Sequence, residues 1–362
     1  MGDGIERVAV IGTGLLGTSI ALAAARAGCL VQGWDLRPQT MARAAALAGL
    51  DPRPSLEDAV DRAHLVVVAT PIPDVAPAVA RALAADANAI VTDVASVKGS
   101  VVAAVRAAGG GARYVPGHPM GGSERSGPDH ASASVLDGIV WVVAPDDVSD
   151  PIAVERLSAW VQAIGARPVR LTPERHDRLV AIVSHLPQVA SSSLMGLAAV
   201  EEADEPEILL LAAGGFRDLT RLAASHPGLW RDILVANRAD GGAAIDLFVD
   251  RLQRLRTDLD LEDGEAVERT FEAAKSARLR LAAKPTVRSG VAVWQVVIPD
   301  EPGALARITA VLAEGGVNIE DLQIVHSPEG GRGTVHLTVA ASNASSTADV
   351  LVGGGYDPTR LA

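Results

Sequence analysis

Val8-Ala9-Val10-Ile11-Gly12-Thr13-Gly14-Leu15-Leu16-Gly17 joins an apolar run to three closely spaced glycines. Four consecutive apolar residues read as a strand buried on both faces, and the glycines after them have the G-x-G-x-x-G spacing of a strand-to-helix turn. In that pattern the first glycine permits the tight turn. The second lets backbone approach a pyrophosphate, and the third allows close helix–strand packing. The Ala-rich residues 19–27 continue as a helix, whose N-terminal N–H groups and dipole favour phosphate. Eighteen residues beyond Gly17, Asp35 ends the second apolar run in Gly33-Trp34-Asp35. A carboxylate there accepts hydrogen bonds from a ribose 2′-hydroxyl and repels a 2′-phosphate, which favours NAD over NADP. Arg37 offers such a phosphate a partner, and a solvated turn acid is the plainer reading of Asp35. Gly12, Gly14, Leu15, Leu16, Gly17, Asp35 and Thr70, after the apolar run 65–69, are the candidate cofactor contacts.

Outward from this stretch, residues 30–34, 65–69, 89–92 and 139–143 read as further strands, alternating with helical patterns such as 75–85. Residues 1–172 therefore read as an α/β, Rossmann-like, doubly wound parallel sheet. From residue 173 the strand signal stops. Helical spacing of apolar positions fills 175–201, 205–224, 229–238, 243–259 and 265–284, so residues 173–285 are expected to be all-helical. Their apolar faces are numerous enough to serve a substrate pocket and a second subunit, which predicts a homodimer. After Lys284-Pro285, residues 290–362 read as strand, helix, two strands, a helix and a short last strand containing Pro358, a ferredoxin-like α+β module.

The 362 residues suffice for two or three domains. A formal net charge of -12, with no dense Lys/Arg run, counts against a nucleic-acid partner. The single cysteine, Cys29, excludes a disulfide framework and a thiolate metal site within the chain, and no metal is expected. The first residues carry an acid and no apolar h-region, and no run approaches a membrane span. The expected setting is cytoplasmic, without a membrane partner.

Three segments place titratable groups where a ligand crevice would lie. Asp93-Val94-Ala95-Ser96-Val97-Lys98 follows a strand, so Ser96 can bond a ligand or cap the next helix, and Lys98 can meet an anion. His118, in Gly117-His118-Pro119-Met120-Gly121-Gly122, reads as a loop residue suited to taking an alcohol proton near pH 7. Of eight histidines, His118 and His185 have the most site-like surroundings. Ser184-His185-Leu186-Pro187-Gln188 is followed by Gly214-Gly215-Phe216-Arg217-Asp218-Leu219-Thr220-Arg221. There Arg217 and Arg221, four apart, either hold a dianion or form structural ion pairs.

In this order the segments resemble the prephenate/arogenate dehydrogenase family over roughly residues 5–285, with G-H-P and G-G-F-R-D-x-T-R the specific pair. The resemblance implies oxidative decarboxylation of prephenate, or of arogenate, with NAD. It implies that His118 takes the proton of the ring 4-hydroxyl with help from Ser96. Arg221 would bind the ring carboxylate, and Arg217 would complete the positive pocket. Ser123, Glu124, Ser184, His185 and Trp230 would line it. One departure stands out: many prephenate-specific members carry a second His after S-H-L-P, where this chain has the neutral Gln188.

The C-terminal stretches Pro299-Asp300-Glu301-Pro302-Gly303-Ala304-Leu305 and Gly316-Val317-Asn318-Ile319 resemble an ACT domain. That resemblance implies an aromatic amino-acid effector, with Asp300, Gly303 and Asn318 as regulatory candidates. Two other readings compete. A β-hydroxyacid dehydrogenase typically uses a helix-borne Lys base, against which the His118 segment and the Arg217/Arg221 pair count. A non-catalytic amino-acid sensor would not need His118, Ser96 and Arg221 together.

Overall fold

The computed structural model describes residues 4–121, 127–282, 291–326 and 332–361. It divides into two compact units, Met1–Ser193 with Leu222–Asp246, and Leu194–Arg221 with Leu247–Ala362.

The first unit begins with β1 (Arg7–Ile11), α1 (Leu15–Arg26), β2 (Leu30–Trp34), α2 (Pro38–Ala48), β3 (Asp51–Pro52), α3 (Leu56–Val60), β4 (Leu65–Val68), α4 (Ile72–Ala85), β5 (Ile90–Asp93) and α5 (Gly99–Ala107). The strands form a parallel sheet in the order β3-β2-β1-β4-β5. Val8, Val10, Leu65 and Val67 enter one core while Ala9, Ile11, Val66 and Val68 enter the other. A strand covered on both faces has no polar side to show, which is why these runs are continuously apolar. The chain leaves β1 toward β2 and β3, then returns past β1 to β4, so the switch point lies at the carboxyl ends of β1 and β4.

The strand expected over residues 139–143 does not join that sheet. β6 (Gly117–Pro119), β7 (Val140–Val143) and β8 (Arg167–Arg170) form a second, three-stranded sheet, with α6 (Pro151–Ala163) between the last two. β7 runs antiparallel to β6 and parallel to β8. The place beside β5 is taken by the segment around Tyr114. There the Val91 N–H donates to the Arg113 carbonyl (2.9 Å), and the Val115 N–H to the Val91 carbonyl (2.9 Å). His118 accordingly sits on a short strand, paired with Val142, rather than on the loop its flanking Gly and Pro suggest.

Helices follow: α7 (Pro173–Val180), a π-helical turn over Ala181–His185, α8 (Leu186–Glu201), α9 (Glu207–Leu210), α10 (Gly214–Thr220), α11 (Pro227–Ala236), α12 (Arg238–Asp260) and α13 (Gly264–Ala282). The run Pro173–Glu201 is long and apolar enough to cross a bilayer by length and composition. Its buried positions include His176, Asp177, His185, Gln188 and Ser191. His176, Asp177, His185 and Gln188 among them take part in side-chain hydrogen bonds within the protein, as polar groups buried in a packed domain do.

In the second unit, β9 (Val291–Pro299), α14 (Ala304–Glu314), β10 (Ile319–His326), β11 (Arg332–Ala340), α15 (Ala344–Gly353) and β12 (Pro358–Arg360) build an antiparallel sheet ordered β10-β11-β9-β12. Ala292, Trp294, Val296 and Ile298 pack on Ile308, Leu312 and Leu351. This is the expected ferredoxin-like arrangement. Pro358 opens the edge strand β12, where its missing N–H costs the sheet little.

Candidate functional site

At the switch point the glycine turn is shaped by contact. Gly12 has φ +90°, and a Cβ there would lie 2.7 Å from the Ala69 carbonyl oxygen. A Cβ on Gly17 would lie 2.0 Å from the Gly12 carbonyl oxygen, so neither position accepts a side chain. Gly14, by contrast, faces open space at the N-cap of α1, which no side chain caps. The first N–H groups of that helix, around the half-exposed Leu15 and Leu16, therefore point outward without an intrahelical partner. Nearby, the Thr70 hydroxyl is buried with no hydrogen-bond partner among the described residues. Asp35 grips the turn: its Oδ2 accepts the Thr13 N–H (2.7 Å), and its Oδ1 accepts the Arg37 N–H (2.9 Å). Uncapped helix amides, an unfilled glycine cradle and an orphan hydroxyl are what a dinucleotide pyrophosphate would meet. The residues present fit that group.

Along the same sheet edge, β6 presses against the end of β5. A Cβ on Gly117 would come within 2.8 Å of the Asp93 carbonyl oxygen, the Thr92 hydroxyl and the Trp141 ring nitrogen. Glycine at 117 thus allows the next residue, His118, to be held close to the carboxyl end of β5. Behind it lies a buried polar cluster. Lys98, fully buried, pairs with Asp93 and donates to the Gly117 carbonyl (2.7 Å). Asp93 also accepts the Ala95 N–H (2.8 Å) and the Tyr114 hydroxyl (2.7 Å). Burial lowers the Lys98 pKa against the opposing pull of Asp93, and burial with the Asp93 charge raises that of Tyr114 well above its ordinary value. Lys98 therefore does not face a ligand anion. It holds the strand that carries His118.

His118 reaches across to the helical part of the same unit. Its Nδ1 lies 2.8 Å from His176 Nε2, and His176 Nδ1 lies 2.7 Å from Asp177 Oδ1. The Asp177 carboxylate accepts the N–H groups of Lys98 and Gly99 (both 2.7 Å), capping α5 from a distant helix. The N-cap position of α5 is Lys98, so Ser96 does not cap it, and the Ser96 hydroxyl stays half-buried in the bend ahead of that helix. Burial pushes the Asp177 pKa up, but the hydrogen bonds from His176 and the two amides outweigh it and hold it below the usual carboxylate range. Burial, then the neighbouring His176, Lys98 and His185, push His118 well below the ordinary imidazole value. It is a neutral ring near pH 7, able to accept a proton.

His185 is buried beside these groups. Its Nδ1 lies 3.3 Å from the Asn237 amide nitrogen, which also donates to the Asp177 carbonyl (3.0 Å), and its ring meets Trp230 edge-on at 6.1 Å. A regular helix turns about 100° per residue and would set position 185 opposite position 176. The extra residue of the π turn swings His185 back. Burial, against the pull of Asp177, pushes the His185 pKa down to about 4. A proton then binds the unfolded chain more tightly than the folded one, so this stability is complete above pH 6.5 and is lost as pH falls toward 4. The loss amounts to about 3 kcal/mol. Urea unfolding at pH 7 and pH 4 should show that loss in the parent chain, and a drop smaller by about this amount in His185→Gln. Equal drops would contradict it.

Gln188 is buried and committed: its amide donates to the Leu222 carbonyl (2.8 Å) and the Ser192 hydroxyl (3.3 Å), and its oxygen accepts from Ser225 (3.4 Å). Ser184 lies half-exposed on the π turn. Arg217, on α10, and Arg221, which follows it, are exposed and belong to the second unit. Ser123 and Glu124 lie outside the described residues. In the C-terminal module, Gly303 caps α14 at φ +87°, Asn318 donates to Glu320 (2.6 Å), and Asp300 is exposed. None of these three lines that module's cavity of about 760 Å³, which is formed by residues including Gln295, Arg307, Tyr356 and Thr359. The pair His176–Asp177 escaped the sequence reading. Its only signal was an adjacent His-Asp nine residues before His185.

Residues 20–170 match the family profile described as "Prephenate dehydrogenase, nucleotide-binding domain". Residues 172–273 match "Prephenate dehydrogenase, dimerization domain", and 295–351 match "ACT domain". The chain is 30% identical over 352 residues to the prephenate dehydrogenase of Bacillus subtilis, covering 95% of each. It is 34% identical over 291 residues to the cyclohexadienyl dehydrogenase of Zymomonas mobilis, covering 78% of this chain and 98% of that one. A crystal structure of prephenate dehydrogenase from A. aeolicus, in complex with hydroxyphenyl propionate and NAD+, superposes with a TM-score of 0.73 at 26% identity, covering 78% of this chain and 100% of that one.

Proposed function

The chain belongs to the prephenate dehydrogenase family, and from that premise we propose that it converts prephenate to 4-hydroxyphenylpyruvate and CO₂ with NAD, on the route to tyrosine. The observation that carries the reading is His118, held on β6 against the carboxyl end of β5 with its Nδ1 engaged by His176. NAD, when bound, supplies the acceptor for the hydride at ring carbon 4. The glycine turn, Leu15, Leu16, Asp35 and Thr70 hold it.

His118 takes the 4-hydroxyl proton as that carbon is oxidised, and Ser96 assists at the same oxygen. The resulting ring ketone is conjugated. The bond from carbon 1 to its carboxylate then breaks and leaves its electrons in the ring, which becomes a phenol. Aromatisation makes the step strongly downhill, so positioning and proton removal are the protein's main tasks. Arg221 and Arg217 bind the ring carboxylate, with Ser123, Glu124, Ser184, His185 and Trp230 lining the pocket; the support is the family resemblance of their motifs.

Arogenate is kept as a second substrate, because Gln188, neutral and with its amide bonded to Leu222 and Ser192, supplies no charge that would favour a keto-acid side chain over an amino-acid one. The partition 1–172, 173–285 and 290–362 is proposed for cofactor, substrate with dimerisation, and regulation. A homodimer is supported by exposed apolar residues on the helices, including Leu197, Val200, Leu252 and Phe271. The ACT module is assigned an aromatic amino acid, and the enzyme a cytoplasmic setting. NAD reduction followed with prephenate and with arogenate, each with and without tyrosine, tests the reading. Turnover of prephenate supports it, turnover of arogenate alone keeps the mechanism and moves the specificity to the amino-acid substrate, and no turnover of either overturns it. Unchanged rates with tyrosine would remove it as the effector.

A further inference from the structure

The contacts behind His118 can be followed proton by proton. The Asp177 carboxylate can only accept at the 2.7 Å contact with His176 Nδ1, and its two other bonds are also accepted, from the Lys98 and Gly99 amides. The shared proton therefore sits on His176 Nδ1. A His176 ring carrying that one proton has a lone pair at Nε2. The 2.8 Å contact with His118 then needs a proton on His118 Nδ1. That leaves the lone pair of His118 on Nε2, a nitrogen that no described residue bonds.

We propose that His176 and Asp177 are positioning residues that fix His118 as its Nδ1–H tautomer, so that Nε2 is the basic atom presented to substrate. Asp177 does this from the N-terminus of α5, where two helix amides stabilise its charge. One carboxylate thus ties α7, α5 and the His118 ring into one orientation. The groups facing His118 are His176 and Asp177 from α7, His185 from the π turn, and Lys98 ahead of α5 with Asp93 behind it. Two of these sources of positive charge, Lys98 and any protonated histidine, disfavour a second proton on His118. A relay that orients a neutral base serves the same end as the carboxylate that sets the imidazole tautomer in hydrolytic triads.

The inference rests on His118 being the base of the proposed reaction, yet its direct test needs no substrate. In ¹⁵N-histidine-labelled protein, two-bond ¹H–¹⁵N correlations show which ring nitrogen carries the proton. The His118 signal is identified by its loss in His118→Gln. The expected pattern is Nδ1–H for His118 in the parent chain. Nε2–H, as a doubly protonated His176 would impose, overturns the proposal whatever the substrate proves to be.

Two variants carry the test into catalysis. His176→Leu removes the acceptor and should lower kcat by roughly 10² with KM little changed, because the ring can be oriented wrongly while substrate still binds. His176→Gln restores an acceptor oxygen for Nδ1–H and a donor for Asp177, and should recover most of that loss. If both variants fall equally while their melting temperatures match the parent's, the relay is overturned. If neither substrate is turned over by the parent chain, the functional reading fails while the tautomer result stands.

Discussion

His118→Asn should lose kcat by roughly 10² to 10⁴, the usual share of a positioned general base, while NAD affinity and fold stay intact. Asparagine keeps a polar group near His176 but has no nitrogen that accepts a proton near neutral pH. NAD is expected to bind as before, because the glycine turn, Asp35 and Thr70 are built on β1, β2 and β4 and share no hydrogen bond with His118. Far-ultraviolet circular dichroism and NAD titration separate a chemical from a structural defect. A variant retaining more than a tenth of parental kcat would show that the proton leaves by another group.

Lys98→Met should be the costliest single change for stability. Its ammonium is fully buried between the Asp93 carboxylate and the Gly117 carbonyl. Methionine would fill the space and leave a buried carboxylate held only by Tyr114 and the Ala95 amide. Breaking a buried pair in this way costs about 3 to 5 kcal/mol. Urea unfolding should show that loss. The double variant Lys98→Met with Asp93→Asn should recover more than half of it, because no uncompensated charge remains. Activity should stay low in both, since the Gly117 carbonyl has lost the donor that fixes β6. A single variant within 1 kcal/mol of the parent would contradict this account of the cluster.

The parallel sheet was legible because its strands are short, continuous apolar runs and because the glycine spacing admits one local geometry, in which Gly12 and Gly17 cannot carry a Cβ. The second sheet was not legible. Its three-residue strand Gly117–Pro119 is bounded by the two residues that punctuate loops, and the charged β8 carries a proline. His118, His185 and Asp35 stood out through their neighbours in sequence. The partners that give His118 its properties did not, since His176 lies 58 residues away and is met only after the chain has folded. Ser96 and Lys98 were ambiguous by pattern alone. Asp177, not Ser96, caps the helix, and the anion that Lys98 meets is a buried side chain. Asp300, Gly303 and Asn318 mark the turns of the C-terminal module, whereas its cavity is closed by residues of β9, α14 and β12 that no turn signal marks.

Oxidation coupled to decarboxylation fixes a stoichiometry. With prephenate as the only organic substrate and NAD in excess, NADH formed and CO₂ released should rise together, one for one, with 4-hydroxyphenylpyruvate as the product. NADH without CO₂, or no NADH from either prephenate or arogenate, would contradict it.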